Sequence, residues 1–177
     1  MILCAACRHV DGPPVPVVDL IREFDRAEKR PPAGFQIVDR AIDGTAHPAI
    51  VAPVPSRLTI PLPLPRRGVL RAFVALEPAG GVVRLRVGIS DDRIYERLTD
   101  LVLSSEPRSW VPLSVDLSAY AGWKWSLFYR PERVVWHLVL AADSLDGRRS
   151  AALWGSPEIV TDNSGAREYA GRRARMH

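Results

Sequence analysis

The chain has 177 residues, of which 47% are hydrophobic and 25% charged, enough to bury one globular core without metal ions or disulfides. Its net charge is +4, and most of that charge comes from a short C-terminal stretch, so the rest of the chain is nearly neutral. A nearly neutral body excludes a domain that holds nucleic acid on a basic face. No run approaches the roughly eighteen apolar residues that a membrane span needs, so a soluble protein is expected.

Prolines are numerous, at 16, and many stand in or beside runs of alternating apolar residues. Proline breaks the hydrogen-bond ladder of a helix but is accepted in turns and edge strands, so this composition favours short strands. We find no internal repeat and no regular alternation of strands with helices. The predicted fold is all-β: a two-sheet antiparallel β-sandwich, or jelly roll, with one short N-terminal helix.

Three segments are predicted from these patterns. They are an N-terminal tether and short amphipathic helix at 1–33, the β-sandwich at 34–162 and a basic C-terminal tail at 163–177. The basic residues of the tail that we single out are Arg172, Arg173 and Arg175. Such a tail can contact anionic lipid or an acidic protein surface, although a short charged end is usually just solvated.

Both cysteines lie near the N-terminus, at Cys4 and Cys7. A redox-active pair would need a surrounding βαβ unit, which the sequence around it does not indicate. Haem attachment needs C-x-x-C-H, and this stretch does not match it. A zinc site needs about four ligands, and this cysteine pair supplies only two. The small residues before Cys7 resemble the end of a bacterial lipoprotein signal, which would make Cys7 a lipidation site on the extracytoplasmic face of a bacterial membrane. The alternative is an ordinary N-terminus with Met1 retained, which would indicate a cytoplasmic protein.

Apolar residues then recur with the spacing of one helix face, at Val17, Leu20, Ile21 and Phe24. Charged residues fill the positions between them. This spacing predicts a short amphipathic helix, which Pro31 and the following proline would end.

Strand patterns follow along the chain. Residues 35–42 alternate weakly and lead into an Asp43-Gly44 turn with a return at 49–52. The prolines at 61, 63 and 65 share one parity and predict a sheet edge, because they remove donors along one side. Further strands are predicted at 69–76 and 83–89, with Arg84 and Arg86 on the polar face of the second.

The turn after this strand contains Asp91 and Asp92, with Glu96 and Asp100 beyond it. Clustered carboxylates can bind calcium in a loop of a sandwich, but no D-x-D-x-D-G loop is present. The alternatives are a structural calcium near Asp91 and Asp92 and a solvated turn.

Strands of the second half are predicted around 111–117, 125–129, 134–140 and 153–160, with a bend at 118–122. The segments 115–122, VDLSAYAG, and 152–159, ALWGSPEI, resemble those of galactose-binding-like and carbohydrate-binding-module jelly rolls of bacterial envelope and secreted proteins. The resemblance spans roughly residues 34 to 162 and implies the jelly-roll fold more than any function.

The motifs of common enzyme classes are missing from the sequence, including the nucleophile elbow, the H-E-x-x-H helix and the phosphate-binding loops. Two of the four histidines lie in the termini, His47 lies in a predicted loop, and His137 lies within a predicted strand. A histidine within a strand is usually a hydrogen-bonded sheet residue. The sequence thus predicts a protein that is not an enzyme and takes no cofactor.

Aromatic residues carry the remaining functional signal. Parity places Trp125, Tyr129, Trp136 and Trp154 in the core, whereas Trp123 and Phe128 are predicted to be exposed. Exposed rings beside cations are typical of contact surfaces. The predicted interaction surface consists of Trp123, Lys124, Phe128 and Arg130.

Two functions remain open at this point. The first is a noncatalytic accessory subunit that docks on a larger membrane-bound complex, such as a respiratory or photosynthetic assembly. The second is a lectin-like protein of the cell envelope, in which exposed rings stack on the C–H faces of sugars. We prefer the first hypothesis, because the chain contains no catalytic domain that a sugar-binding module would serve.

Overall fold

The computed structural model describes residues 13–78, 81–106, 108–121 and 136–174. Eleven strands and two short α-helices are found in these ranges. The strands are β1 (Val15–Asp19), β2 (Glu28–Arg30), β3 (Gln36–Ile42), β4 (Thr45–Val54), β5 (Ser56–Leu62), β6 (Val69–Leu76), β7 (Val82–Ser90), β8 (Tyr95–Ser104), β9 (Val111–Asp116), β10 (Trp136–Ser144) and β11 (Ser150–Thr161). The helices are α1 (Ser118–Ala121) and α2 (Asn163–Ala174), and a 3₁₀ turn covers Phe24–Arg26.

Two antiparallel sheets make up the fold. Sheet A has the order β3-β4-β11-β6-β9, and β1 also pairs with β11. Sheet B has the order β2-β5-β10-β7-β8. The predicted two-sheet antiparallel sandwich is confirmed.

The core lies between the two sheets, because alternate residues of the central strands point inward. Sheet B contributes Leu58, Ile60, Val87 and Leu138, each at most 1% exposed. Trp154 of β11 is the largest of the fully buried side chains. The residues between these inward-facing ones therefore form the outer face of sheet B.

The hairpin between β3 and β4 shows how local sequence sets the register. Asp43 and Gly44 both have positive φ, at 49° and 75°, as the type I′ turn of a two-residue hairpin loop requires. Ile42 then pairs with Thr45 across the turn. The predicted turn and both of its strands are confirmed.

The predicted amphipathic helix at 17–24 is wrong. Residues 15–19 form β1, which pairs with residues 158–161 of β11, and only the 3₁₀ turn follows. The apolar residues at helical spacing still reach the core, with Leu20 fully buried and Val17, Ile21 and Phe24 partly buried. Pairing with β11, which β4 leaves uncovered beyond Gly155, decides between strand and helix here.

The proline-rich segment partly follows its prediction. β5 is the second strand of sheet B, but β2 covers only Arg57 to Thr59 of it. The end of β5 that contains Pro61 has β10 on one side, and no described strand on the other. Proline is compatible with such a partly open edge.

The C-terminal segment that we expected to be a basic tail contains helix α2. Asp162 is 3% exposed and accepts the N–H of Gly165 at 2.7 Å, as a helix N-cap does. Tyr169 is buried at 5% exposure, and Arg173 donates to the buried Glu23 at 2.8 Å. These contacts fix α2 to the sandwich beside the 3₁₀ turn. No helix among the described residues is long and apolar enough to cross a membrane.

Candidate functional site

Most of the residues that the sequence singled out cannot be placed. The predicted contact residues Trp123, Lys124, Phe128 and Arg130 lie outside the described residues, as do Trp125, Tyr129, Cys7 and Arg175. For Arg172 only the backbone is described, within α2. The interaction surface and the lipidation of Cys7 therefore stay predictions.

Two of the predicted core rings are described. Trp154 is 1% exposed and lies in the main core, as expected. Trp136 is partly buried against the same core and meets the Tyr120 ring edge-on, with the ring centroids 5.5 Å apart. Both rings thus contribute to the packing of the sandwich.

A shallow groove of about 460 Å³ crosses the outer face of sheet B. Its floor includes Val139 and Ala141, two short side chains on the outer face of β10. Arg57 of β5 stands on one side of this floor, and Arg86 and Tyr95 stand on the other. We call this feature the sheet B groove.

Tyr95 is the aromatic ring of the sheet B groove, and it is 42% exposed. The ring lies over Gly88, where a Cβ atom would be only 2.4 to 2.6 Å from Tyr95 atoms. The guanidinium carbon of Arg57 lies 5.3 Å from the centroid of the ring, within the range of a cation–π contact. The glycine thus leaves the room that lets the ring lie across the sheet.

Polar groups of fixed geometry surround this ring. Arg86 forms an ion pair with Asp143, with nitrogen and oxygen 2.5 Å apart. Arg30 similarly pairs with Glu28 at 2.6 Å. Arg57 has no carboxylate partner among the described residues. The groove therefore offers one exposed ring, paired and unpaired guanidinium groups, and one carboxylate.

The turn before β8 positions Tyr95. Asp91 Oδ1 accepts the N–H groups of Ile94 at 2.9 Å and of Arg93 at 3.1 Å. These hydrogen bonds, that of Ile94 above all, hold the pKa of Asp91 below its ordinary value. Asp92 lies 3.1 Å from His137 Nδ1, so this histidine contacts the turn from within its strand.

A calcium site was one of two alternatives for this turn. The Asp91 carboxylate is used by backbone N–H groups, and Asp92 faces His137. Among the residues that the structure describes, no group of three or more histidine, cysteine, aspartate or glutamate side chains is placed to hold a metal ion. The described part of the turn fits the closure of a hairpin better than ion binding.

A second aromatic cluster lies on the outer face of sheet A. His47 stacks on Phe73 with the ring centroids 4.2 Å apart, and Trp110 meets His47 edge-on at 5.1 Å. Trp110 donates its indole N–H to the carbonyl of Thr45 at 3.0 Å. These rings are covered by one another, and only Phe73 reaches 36% exposure. We interpret the cluster as a small second core and not as a ligand platform.

Sequence reasoning missed the residues of the sheet B groove, because it missed β8. This strand is exposed and rich in charge, so its apolar residues do not alternate clearly, and Tyr95 was not weighed among the candidate rings. The alternate polar residues of β7, Arg84 and Arg86, were the feature of the sequence that could have pointed to this site. They indicated the outer face of the sheet correctly, but they did not indicate a groove on it.

Comparison with known proteins gives fold likeness alone. No family model matches the chain, and no curated protein sequence matches it. Among solved structures, the chain is similar to the xylan-binding domain CBM22-1 of Paenibacillus barcinonensis Xyn10C, with 15% identity and a TM-score of 0.49 over 77% of this chain and 86% of that one.

Two further structures are similar over comparable parts of this chain. One is a carbohydrate-binding module specific for non-crystalline cellulose, CBM28, with 7% identity and a TM-score of 0.45 over 71% of this chain and 79% of that one. The other is the glycoside hydrolase domain of Endo-D from Streptococcus pneumoniae R6, with 14% identity and a TM-score of 0.42 over 77% of this chain but only 21% of that one. The function proposed below rests on the residues of the groove itself.

Proposed function

We propose that this protein is a carbohydrate-binding module that holds a polysaccharide segment in the sheet B groove without cleaving it. The observation that carries the proposal is the exposed Tyr95 ring lying across Gly88 beside Arg57. The sequence also allowed a lectin-like protein, and the proposal keeps that function but assigns it to different contact residues. A ring held flat on a sheet, with polar groups around it, is the arrangement that stacks on a sugar.

The shape of the groove supports an extended ligand. Val139 and Ala141 keep the floor low along β10, and Arg57 and Tyr95 meet above this floor, where a sugar unit could contact both. Sugar hydroxyl groups both donate and accept hydrogen bonds. The guanidinium groups of Arg57 and Arg86 supply donors, and the carboxylate of Asp143 supplies acceptors.

The lining of the groove supports binding without hydrolysis. Glycoside hydrolysis generally needs two carboxyl groups on opposite sides of the bond that is cleaved. Asp143 is the one carboxylate among the described residues of the lining, and it is paired with Arg86. The described lining thus supplies one of the two carboxyl groups that hydrolysis generally needs.

Affinity electrophoresis of the full chain through gels that contain soluble polysaccharides tests the proposal. We expect retardation by at least one polysaccharide, and we expect Tyr95→Ala to weaken that binding by roughly tenfold or more, as loss of a stacked ring should. Phe73→Ala is the matched control, because it removes a partly exposed ring from the outer face of sheet A. Binding that survives Tyr95→Ala but is lost in Phe73→Ala would move the site to sheet A and refute the proposal.

The accessory-subunit hypothesis stays a prediction of the sequence. Its four contact residues lie outside the described residues, and the basic helix α2 uses Arg173 to hold Glu23. The described surface thus offers a better defined site for a glycan than for a membrane-bound complex.

A further inference from the structure

We infer that the sheet B groove selects acidic glycans, whose sugar units carry carboxylate or sulfate groups, and that Arg57 is the residue that recognises the charge. This inference deepens the proposed function and rests on it. It is carried by a row of arginines that crosses the floor of the groove.

Arg30, Arg57 and Arg86 belong to one cross-strand row. Arg30 lies directly opposite Arg57, Arg57 opposite Ala141, and Ala141 opposite Arg86. Adjacent strands are about 4.8 Å apart, so the Cα atoms of this row span roughly 14 Å from Arg30 to Arg86, with the short side chain of Ala141 between Arg57 and Arg86. A row of arginines on one face of the sheet is suited to a linear polyanion.

One of the three charges of the row has no carboxylate partner among the described residues. Glu28 neutralises Arg30 and Asp143 neutralises Arg86. Arg57 has no carboxylate among the described residues and touches only the face of Tyr95 in the contacts described. Arg57 is therefore the arginine of the row that is left to pair with an anionic group of a ligand.

The whole outer face of sheet B shows the same excess. Its strands contribute five arginines and three carboxylates at outward positions, which leaves a net charge of +2. The outward residues that carry these charges are Glu28, Arg30, Arg57, Arg84, Arg86, Arg97, Asp100 and Asp143. Arg84 and Arg57 are the two of these arginines without a carboxylate partner among the described residues, and only Arg57 lines the groove.

The neighbouring ring favours an acidic sugar over a bare anion. The guanidinium group of Arg57 lies over the ring of Tyr95, so a pyranose that stacks on the exposed part of this ring would present the substituents at its edge to that group. A planar guanidinium group binds a carboxylate or a sulfate through two parallel hydrogen bonds. Free phosphate would use Arg57 but gain nothing from Tyr95. A nucleic acid would need more positive charge than this face provides.

The experiment is calorimetric titration of the full chain with five probes at low and moderate salt. The probes are polygalacturonate, dextran sulfate, xylan, soluble cellulose oligosaccharides and a single-stranded oligonucleotide. We expect an acidic polysaccharide to bind about tenfold or more tightly than the neutral ones, with an advantage that shrinks as salt rises. The two acidic probes distinguish a carboxylate from a sulfate as the recognised group.

Variants separate recognition by Arg57 from general attraction. Arg57→Gln should remove the preference for acidic glycans, about tenfold, while keeping the weaker binding of neutral ones, and Tyr95→Ala should weaken both. Arg84→Gln removes the same charge from the same face outside the groove, and it should change the affinity less than twofold. Thermal unfolding of each variant checks that the fold is retained.

The outcomes distinguish the inference from the proposed function. Equal binding of acidic and neutral glycans that depends on Tyr95 would overturn the inference and leave the proposed function standing. Equal losses in Arg57→Gln and Arg84→Gln would also overturn it, because attraction would then come from net charge alone. No binding of any glycan, or tighter binding of the oligonucleotide through Arg57, would overturn both.

Discussion

Tyr95 lies over Gly88 on the neighbouring strand, with ring atoms where a Cβ of residue 88 would stand. The two residues belong to β8 and β7, whose pairing contains a bulge next to Gly88. A bulge redirects the side chains of its strand. The orientation of the candidate sugar-binding ring therefore depends on a residue that has no side chain of its own.

Gly88→Ala should lift the Tyr95 ring off the sheet, because the new Cβ would come within 2.6 Å of three of its atoms. We expect glycan affinity to fall by about as much as in Tyr95→Ala, roughly tenfold. The double variant tests the mechanism: when Tyr95 is already alanine, adding Gly88→Ala should have almost no effect on affinity. Additive losses would show that Gly88 acts in some other way.

Glu23 should be a major stabilising residue of the C-terminal helix. Its side chain is 8% exposed and pairs with Arg26 at 3.0 Å and Arg173 at 2.8 Å. Hydrogen bonding to Glu23 is also the main reason that the pKa of Arg173 is raised. We expect Glu23→Gln to lower the free energy of unfolding by about 1–3 kcal/mol, because charge-assisted hydrogen bonds to a buried carboxylate are lost.

Urea unfolding measures this change, and Arg22→Gln is its control. Arg22 pairs with Asp19 on the surface of the same segment, at 86% exposure, and its removal should cost less than about 1 kcal/mol. Similar losses in the two variants would mean that α2 is not held through Glu23.

Gly155 and Gly171 should respond in opposite ways to alanine. A Cβ on Gly155 would be 3.0 Å from two ring atoms of Trp110 and 3.1 Å from the Cβ of His47, so Gly155→Ala should destabilise by about 1–3 kcal/mol. Gly171 lies inside α2 with nothing within 4 Å of the added atom, so Gly171→Ala should stabilise by about 0.5–1 kcal/mol. Thermal unfolding measures both changes in stability. A Gly155→Ala protein as stable as the wild type would contradict the packing of Trp110 against Gly155.

Stability above pH 10 should depend on Tyr120. Burial, and then a hydrogen bond to Glu96, raise the pKa of Tyr120 to about 12 from an ordinary value of 10.0. Since the folded state favours the neutral phenol, its contribution is fully present below pH 10 and is lost as the pH rises toward 12. The unfolding free energy of the wild type should therefore approach that of Tyr120→Phe over this range. A constant difference between the two proteins from pH 8 to pH 12 would contradict this.

The β-sandwich could be predicted from the sequence because its central strands bury one face each. A compact apolar run at 69–76 marked β6, and alternation at 83–89 and 111–117 marked β7 and β9. Asp43-Gly44 marked a turn that local backbone geometry alone can specify. These features need no knowledge of distant residues. The arginines of β7 were likewise placed on the correct face by parity.

Peripheral elements could not be predicted in this way. Residues 17–24 carry the spacing of a helix, yet β1 forms because β11 has free backbone groups to pair with. The C-terminal residues are predominantly polar, yet α2 docks through Glu23, which lies 150 positions earlier in the chain. In both cases a partner far along the chain outweighs the local pattern.

The candidate site also depends on tertiary contacts. The sequence by itself determined the class of fold, the neutral body and the polar outer face of β7. Only the tertiary structure brought Arg57 opposite Arg30, because β2 and β5 are not neighbours along the chain. Tyr95 lies across Gly88 because of the bulge in the pairing of the consecutive strands β7 and β8, which the sequence pattern did not mark. Hydrophobic periodicity records which face of a strand is buried, whereas the order of strands in a sheet decides which exposed side chains meet.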